Sequence, residues 1–365
     1  MSIFVLMAGG TGGHLFPAMA LAQELRRRGH TIHLMTDHRV AGYGDNFPAS
    51  EIHVVPSATP SVSNPLKFAG AAFKIVWGTI VAGGKLRGIK PDVVIGFGGY
   101  PVFPPFLAAR LSGIPGILHE QNAVMGRANR ALGRYASKIA LSFARTQRAE
   151  TFATKSVLTG NPVRDRVRAV ASTPYLALTI DGPLQLVVFG GSQGARAFAD
   201  LVPPAIAELP EELRHRLRIV QQCRPEDLDR VAEAYRQAKV NVELQPFFAD
   251  LPERMANAHL VVARAGASTV AELTVLGRPA ILVPLPGSID GDQKNNALVV
   301  DAAGGGWIVE QATISPPSLA NRLASLFGDP ARLQAAAAAA KSLGQPRAVE
   351  QLADLAEGLS RGKST

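Results

Sequence analysis

Short apolar runs alternate with stretches at helical spacing along the whole chain, the pattern of parallel strands joined by helices. Ile3–Met7 is the first run and ends in Gly9-Gly10-Thr11-Gly12-Gly13. Residues 17–28 follow at helical spacing, and strands are predicted over 31–35, 93–95 and 116–118. The design then restarts. Leu184–Phe189 runs into Gly190-Gly191-Ser192-Gln193-Gly194-Ala195 and a helix, with further strands predicted over 219–222, 242–244, 259–263 and 280–283. Two strand–glycine-loop–helix openings about 180 residues apart imply an α/β protein of two doubly wound, Rossmann-like domains. The Gly160-Asn-Pro-Val-Arg164 segment, where Asn-Pro breaks any continuing element, marks the hinge. The expected division is therefore 1–162 and 163–344. The tail holds an Ala-rich helix over 331–341 and, after Gly344-Gln-Pro346, a last helix within 345–362 that is expected to cross back onto the first domain.

Length agrees with two domains, since 365 residues suffice for two buried cores. A content of 47% hydrophobic residues excludes a disordered chain, and the single cysteine, Cys223, excludes a disulfide framework or a cysteine-based zinc site. No stretch reads as a signal peptide or a membrane span; the longest apolar stretch, 68–84, is interrupted by Lys74. The net charge of +9 is uneven. Residues 1–164 hold 18 Lys and Arg against 7 Asp and Glu, a balance of +11, whereas 165–365 hold 20 against 22, a balance of −2. The basic half suits phosphates or an anionic membrane surface, or is simply a solvated surface. Nucleic acid is not expected, because no recognisable module is present and only 6% of residues are aromatic.

Glycine loops after strands suit phosphates: without a Cβ the backbone approaches the anion closely, and the next helix offers unpaired N–H groups. Neither loop matches the dinucleotide fingerprint, although Asp37 ends the second strand where an acidic residue would bind a ribose. In Arg264-Ala-Gly-Ala-Ser-Thr-Val-Ala-Glu272, Ala267, Ser268 and Thr269 open a helix and can present N–H and hydroxyl groups to a diphosphate. Glu272 can accept both hydroxyls of a ribose. The competing reading is an ordinary cap formed by Ser268 with Glu272 nearby. Asp292 and Gln293 start another helix and can bond sugar hydroxyls. Asp290-x-Asp292 and Asp227-x-Asp229 formally match metal-holding pairs, but the second lies in a charged helical stretch and reads as solvated, and no metal cofactor is expected.

Seven motifs in order carry a resemblance over nearly the whole chain: Gly9-Gly-Thr-Gly-Gly-His14, Gly96-Phe-Gly-Gly-Tyr-Pro101, His119-Glu-Gln-Asn122, Gly160-Asn-Pro-Val-Arg164, Gly190-Gly-Ser-Gln-Gly-Ala195, Arg264 to Glu272, and Asp292-Gln293 with Asn296-Ala297. The chain resembles the bacterial peptidoglycan N-acetylglucosaminyltransferases. The resemblance implies the GT-B arrangement, two Rossmann-like domains facing across a cleft, with UDP-N-acetylglucosamine on the C-terminal domain and the lipid-linked acceptor, lipid I, on the other. Carried over by motif, Ser192 and the Ala267–Thr269 helix start would contact the diphosphate, Glu272 the ribose, Phe248 the uracil through its backbone, and Gln293 with Asp292 the sugar. Thr11, Gly12, Gly13, Asn122 and Arg164 would reach the donor from the other side, and Tyr100 would shape the acceptor site. Asp292 stands where some relatives have a second glutamine.

The chemistry so implied is inversion at the anomeric carbon, with the acceptor C4 hydroxyl attacking as UDP leaves. His14 is the first candidate for the general base and Glu120 the second, against a helix-capping or phosphate-binding role for His14 and a loop-bonding role for Glu120. The stretch 65–87 mixes Phe68, Phe73, Trp77 and Ile80 with Lys67, Lys74, Lys85 and Arg87. It reads either as a helix packed on the sheet or, given the resemblance, as one that touches an anionic membrane. The expected location is peripheral, on the cytoplasmic face of the inner membrane, near other cell-wall synthesis proteins. The alternatives are the same fold with another lipid or aglycone acceptor, and a UDP-N-acetylglucosamine 2-epimerase.

Overall fold

The computed structural model of the protein describes residues 1–9, 12–38, 47–59, 65–179 and 181–362, without the side chains of 65–68, 192–195 and 289. The chain divides into two compact units, Met1–Arg164 with Gln345–Thr365, and Asp165–Gly344. The boundary thus falls two residues after the sequence-based one.

The first unit is built on a seven-stranded sheet of β1 (Ile3–Met7), β2 (Thr31–Thr36), β3 (Glu51–Val54), β4 (Val93–Gly96), β5 (Gly116–Glu120), β6 (Lys138–Leu141) and β7 (Ser156–Leu158), in the order β3-β2-β1-β4-β5-β6-β7. Every paired strand is parallel. Alternation along β1 sets the two faces: Phe4 and Leu6 join one core with Leu15, Leu21 and Leu25, while Val5 and Met7 join the other with Phe106 and Leu132. The C-terminal helix Ala348–Arg361 completes the first core, where Leu352, Ala353 and Ala356 lie against the helix Gly12–Arg27. An ion pair from Arg28 to Asp354 and a hydrogen bond between His30 and Glu357 flank that contact.

The second unit holds a six-stranded parallel sheet of β8 (Leu184–Phe189), β9 (Leu217–Gln222), β10 (Asn241–Gln245), β11 (Leu260–Ala263), β12 (Ala280–Leu282) and β13 (Gly306–Ile308), in the order β10-β9-β8-β11-β12-β13. Its core joins Leu186 and Val188 of β8 to Phe198, Val202, Leu319 and Leu323 from the covering helices. Two buried arginines, Arg264 and Arg278, brace this unit. Arg278 donates to the carbonyls of Ala256, Leu276, Gly277, Thr173 and Pro174, so a buried guanidinium is fully clothed by backbone.

In each sheet the chain reverses its winding beside the first strand, between β1 and β4 and between β8 and β11. Loops at the carboxyl ends of strands diverge there, which is where doubly wound sheets receive ligands.

Candidate active site

The switch point of the first unit collects its candidate residues. Gly12, Gly13 and His14 open the helix after β1, Tyr100 sits in a turn after β4, Glu120 ends β5, and Asn122 follows it in the loop. Thr11 lies outside the described residues. His14 is half-buried, and its Nδ1 lies 3.1 Å from the Gln121 side-chain oxygen. Gly98 and Gly99, both at positive φ, pass beside its ring. A Cβ on either would lie 3.4–3.5 Å from ring atoms, at ordinary contact distance.

Glu120 is buried and both its oxygens are occupied. Oε1 accepts the Asn122 backbone N–H at 3.0 Å, and Oε2 accepts the Gly126 N–H at 3.0 Å and Asn129 Nδ2 at 2.8 Å. Burial raises its pKa against those bonds. Its geometry is that of a loop holder. His119 is fully enclosed; burial is the main cause that pushes its ring down to about 4, so it is neutral at pH 7. Arg164 closes the hinge segment with its guanidinium 5.4 Å from the Phe16 ring centroid.

The second unit's candidates gather likewise at the ends of its strands. The helix Ala267–Leu276 follows β11 and starts after Gly266 with no side-chain cap. That overturns the capping reading of Ser268 and Glu272. The Ser268 hydroxyl is instead buried with no hydrogen-bond partner, at the positive end of the helix. Glu272, 6% exposed, lies on the second turn of the same helix. Ser192 falls in the first turn of the helix Gly191–Ala207, after β8; its side chain is among those not described. Phe248 is buried beneath the Arg254 guanidinium.

Asp292 and Gln293 open the helix Asp292–Ala302, whose N-cap is Gly291 at φ 66°. Asp292 Oδ1 accepts the Gln293 N–H at 2.8 Å, and Gln293 Oε1 accepts the Leu285 N–H at 2.9 Å. The Gln293 amide N–H groups are therefore what that side chain offers a ligand. Arg264, which the sequence placed in a motif without a role, sets the base of this loop. It donates to the carbonyls of Val283 and Pro284 and to Gln311, with its guanidinium over Phe198. Nothing in the sequence signalled Gln311.

Among the described residues one group of three potential metal ligands comes together, His33, Glu51 and His53 on β2 and β3. His33 Nδ1 is 3.2 Å from His53 Nε2, Glu51 stands 3.5 Å from the opposite His53 nitrogen, and burial, with the Lys85 charge adding to it, lowers the His53 pKa. Neither Asp290–Asp292 nor Asp227–Asp229 belongs to such a group. Asp227 is not solvated as expected; it is buried and paired with Arg230 at 2.9 Å.

The helix Pro65–Ile89 shows two faces. Ala71, Ala82 and Leu86 are buried, and Gly78 packs so closely that a Cβ would lie 2.0 Å from the Pro56 carbonyl oxygen. On the other side Phe73, Val76, Trp77 and Ile80 are 52–71% exposed at i, i+3, i+4 and i+7. One face of the helix is packed as core, and the other carries an exposed apolar stripe. Phe68 and Lys67 lie outside the described side chains. Among the described residues no helix is long and apolar enough to cross a membrane.

Residues 4–141 match the family model of the glycosyltransferase family 28 N-terminal domain, and residues 185–352 that of the C-terminal domain. A protein of Methylobacterium nodulans is 55% identical over 97% of this chain and 95% of its own length. It is named UDP-N-acetylglucosamine–N-acetylmuramyl-(pentapeptide) pyrophosphoryl-undecaprenol N-acetylglucosamine transferase. The crystal structure of Acinetobacter baumannii MurG, 32% identical, superposes with a TM-score of 0.79 over 97% of this chain and 99% of that one. A Neisseria meningitidis UDP-GlcNAc 2-epimerase, 15% identical over 96% of this chain and 98% of its own, shares the fold alone, with a TM-score of 0.66. With two parallel Rossmann-like sheets, both family domains and near full-length relatives at this identity, the chain belongs to glycosyltransferase family 28.

Proposed function

We propose that this glycosyltransferase moves N-acetylglucosamine from UDP-N-acetylglucosamine to the C4 hydroxyl of undecaprenyl-pyrophosphoryl-N-acetylmuramyl-pentapeptide, releasing UDP. The names of its full-length relatives support the substrates. The observation that carries the donor assignment is the uncapped start of Ala267–Leu276 with the unpartnered Ser268 hydroxyl buried beside it. A diphosphate supplies the acceptors these donors lack. Glu272 then accepts the ribose hydroxyls, the Gln293 amide donates to the sugar with Asp292 bracing its backbone, Phe248 lies by the uracil, and Ser192 adds to the diphosphate contacts. In the first unit, Tyr100 shapes the acceptor site.

In the transfer, the acceptor hydroxyl gives its proton to His14 as its oxygen bonds the anomeric carbon from the face opposite UDP. The bond from that carbon to the diphosphate oxygen breaks, and UDP leaves with the electron pair. Charge growing on the leaving group is met by oriented N–H dipoles, so on this reading no divalent metal takes part. Glu120 keeps Asn122 and the 122–126 loop in place rather than taking the proton. The exposed stripe Phe73–Val76–Trp77–Ile80, with Lys74 beside it and a basic half around it, supports peripheral attachment to an anionic bilayer on the cytoplasmic face.

The test is turnover of labelled UDP-N-acetylglucosamine with lipid I, with diacylglycerol, with an aglycone, or with no acceptor. Disaccharide-lipid formation with lipid I alone supports the proposal. Transfer to another acceptor, or epimerisation of the donor without acceptor, overturns it.

A further inference from the structure

The base role of His14 requires a bare ring nitrogen facing the acceptor, and a neutral imidazole has one proton to place on two nitrogens. The hydrogen bonds behind His14 decide which. They begin at the Gly160 carbonyl, which can only accept, and which takes bonds from His119 Nε2 at 3.0 Å and Thr159 Oγ1 at 3.2 Å. The His119 proton therefore sits on Nε2. Since the enclosed ring is neutral, its Nδ1 is bare and accepts from Gln121 Nε2 at 2.9 Å. The same Gln121 nitrogen also lies 3.1 Å from the His119 carbonyl oxygen, so the amide is oriented twice over. Its oxygen then faces His14 Nδ1 at 3.1 Å. An amide oxygen cannot donate, so His14 must carry its proton on Nδ1, and the ring's lone pair is on Nε2.

We infer that His119 and Gln121 are positioning residues that pass the fixed polarity of the Gly160 carbonyl to His14, locking it in the Nδ1–H form with Nε2 as the proton acceptor. The inference rests on the base role proposed for His14. It also gives three motifs a common purpose, joining the histidine after the first glycine loop, the 119–122 segment and the hinge glycine. Gly160 suits the start of such a relay. Its φ of +80° favours glycine, and a Cβ there would lie 2.5 Å from Gln345 Cβ and 2.9 Å from Ala348 Cβ, so the C-terminal segment pins the carbonyl in place. Gln121 and His119 are 1% and 0% exposed, so neither is placed to touch a substrate itself.

Nitrogen-15 spectra of the histidine rings in the intact enzyme read the tautomers directly, alongside steady-state kinetics of Gln121→Met and His14→Gln. The wild type is expected to show His14 protonated on Nδ1 and His119 on Nε2. Gln121→Met, close in shape but unable to accept, should let the His14 proton distribute over both nitrogens. It should lower kcat about two- to fivefold, since a proton shared between the nitrogens leaves roughly a half to a fifth of the rings in the Nδ1–H form, with the donor KM unchanged. A merely structural role would move neither the ring spectrum nor kcat selectively. A wild-type His14 protonated on Nε2 overturns the inference by itself, whether or not the variant folds. Gln121→Met at the wild-type rate beside an inactive His14→Gln overturns the relay alone. A His14→Gln enzyme at the wild-type rate removes the base role, and the catalytic meaning of the relay with it.

Discussion

Replacing Glu272 by alanine removes a carboxylate that is 6% exposed, on a helix with no acidic residue in its first turn. If that carboxylate receives the ribose diol, the substitution strips two hydroxyl donors of a charged acceptor in a sheltered site. A hydrogen bond to a charged group is worth about 1.5–3 kcal/mol. Water can refill the space left by the side chain and partly serve the two hydroxyls. The net loss is therefore that of about one such bond, roughly 2–3 kcal/mol, or a rise of about 30–150-fold in the Kd for UDP. Calorimetric titration with UDP, UDP-N-acetylglucosamine and 2′-deoxy-UDP separates the contributions. UDP and the full donor should weaken by the same factor, because the lost contact belongs to the nucleotide. 2′-Deoxy-UDP should bind the wild type more weakly than UDP does and respond much less to the substitution. An unchanged Kd for UDP in a variant with an unchanged melting temperature would refute the assignment, as would a loss confined to the sugar-bearing donor.

Gly160→Ala places a methyl group on a left-handed residue and against Gln345 and Ala348. It should destabilise the first unit by about 2–5 kcal/mol in urea unfolding, where a loss under about 0.5 kcal/mol would contradict the packing described. His119 stays neutral in the folded protein to about pH 4, whereas in the unfolded chain it protonates near 6.5. Its stabilising contribution is therefore complete above pH 6.5 and lost as pH falls toward 4, about 3 kcal/mol in all. Glu120, raised by burial, opposes part of this by taking up its proton earlier in the folded state. Unfolding at pH 7 and pH 5 should consequently show a smaller acid loss in His119→Gln than in the wild type; equal losses would count against it. Phe73→Ser with Trp77→Ser should weaken sedimentation with anionic vesicles by about 2–4 kcal/mol while leaving UDP affinity intact, and unfolding of the variant would show that the stripe belongs to the core.

The parts of this structure that could be read from the sequence are those whose cause is local. β1 and β8 stand out because a continuous apolar run buried on both faces ends in glycines that the next turn requires. β3, β6, β7 and β13 escaped, being three or four residues long and at or near sheet edges, too short to show a period. The helix Pro65–Ile89 could not be assigned a face, since Ala, Gly, Val and Ile occupy both of its sides and only tertiary contact distinguishes them. Asp227 looked solvated among charged neighbours; its burial depends on how the segment folds back under Arg230. The site residues were found as motifs, but their relations were not. Gln121 and His119 draw their meaning from a carbonyl 41 residues from His119, and Arg264 from Gln311, 47 residues away. Hydrogen-bond direction across such spans leaves no trace in spacing.

The most direct test of the account is a crystal structure of the enzyme with UDP-N-acetylglucosamine bound. The diphosphate is expected within hydrogen-bond reach of the Ala267, Ser268 and Thr269 N–H groups and the Ser268 hydroxyl, with the ribose diol on Glu272 and the sugar on Gln293. A donor bound with its diphosphate away from that helix start, and Ser268 still unpartnered, would contradict it.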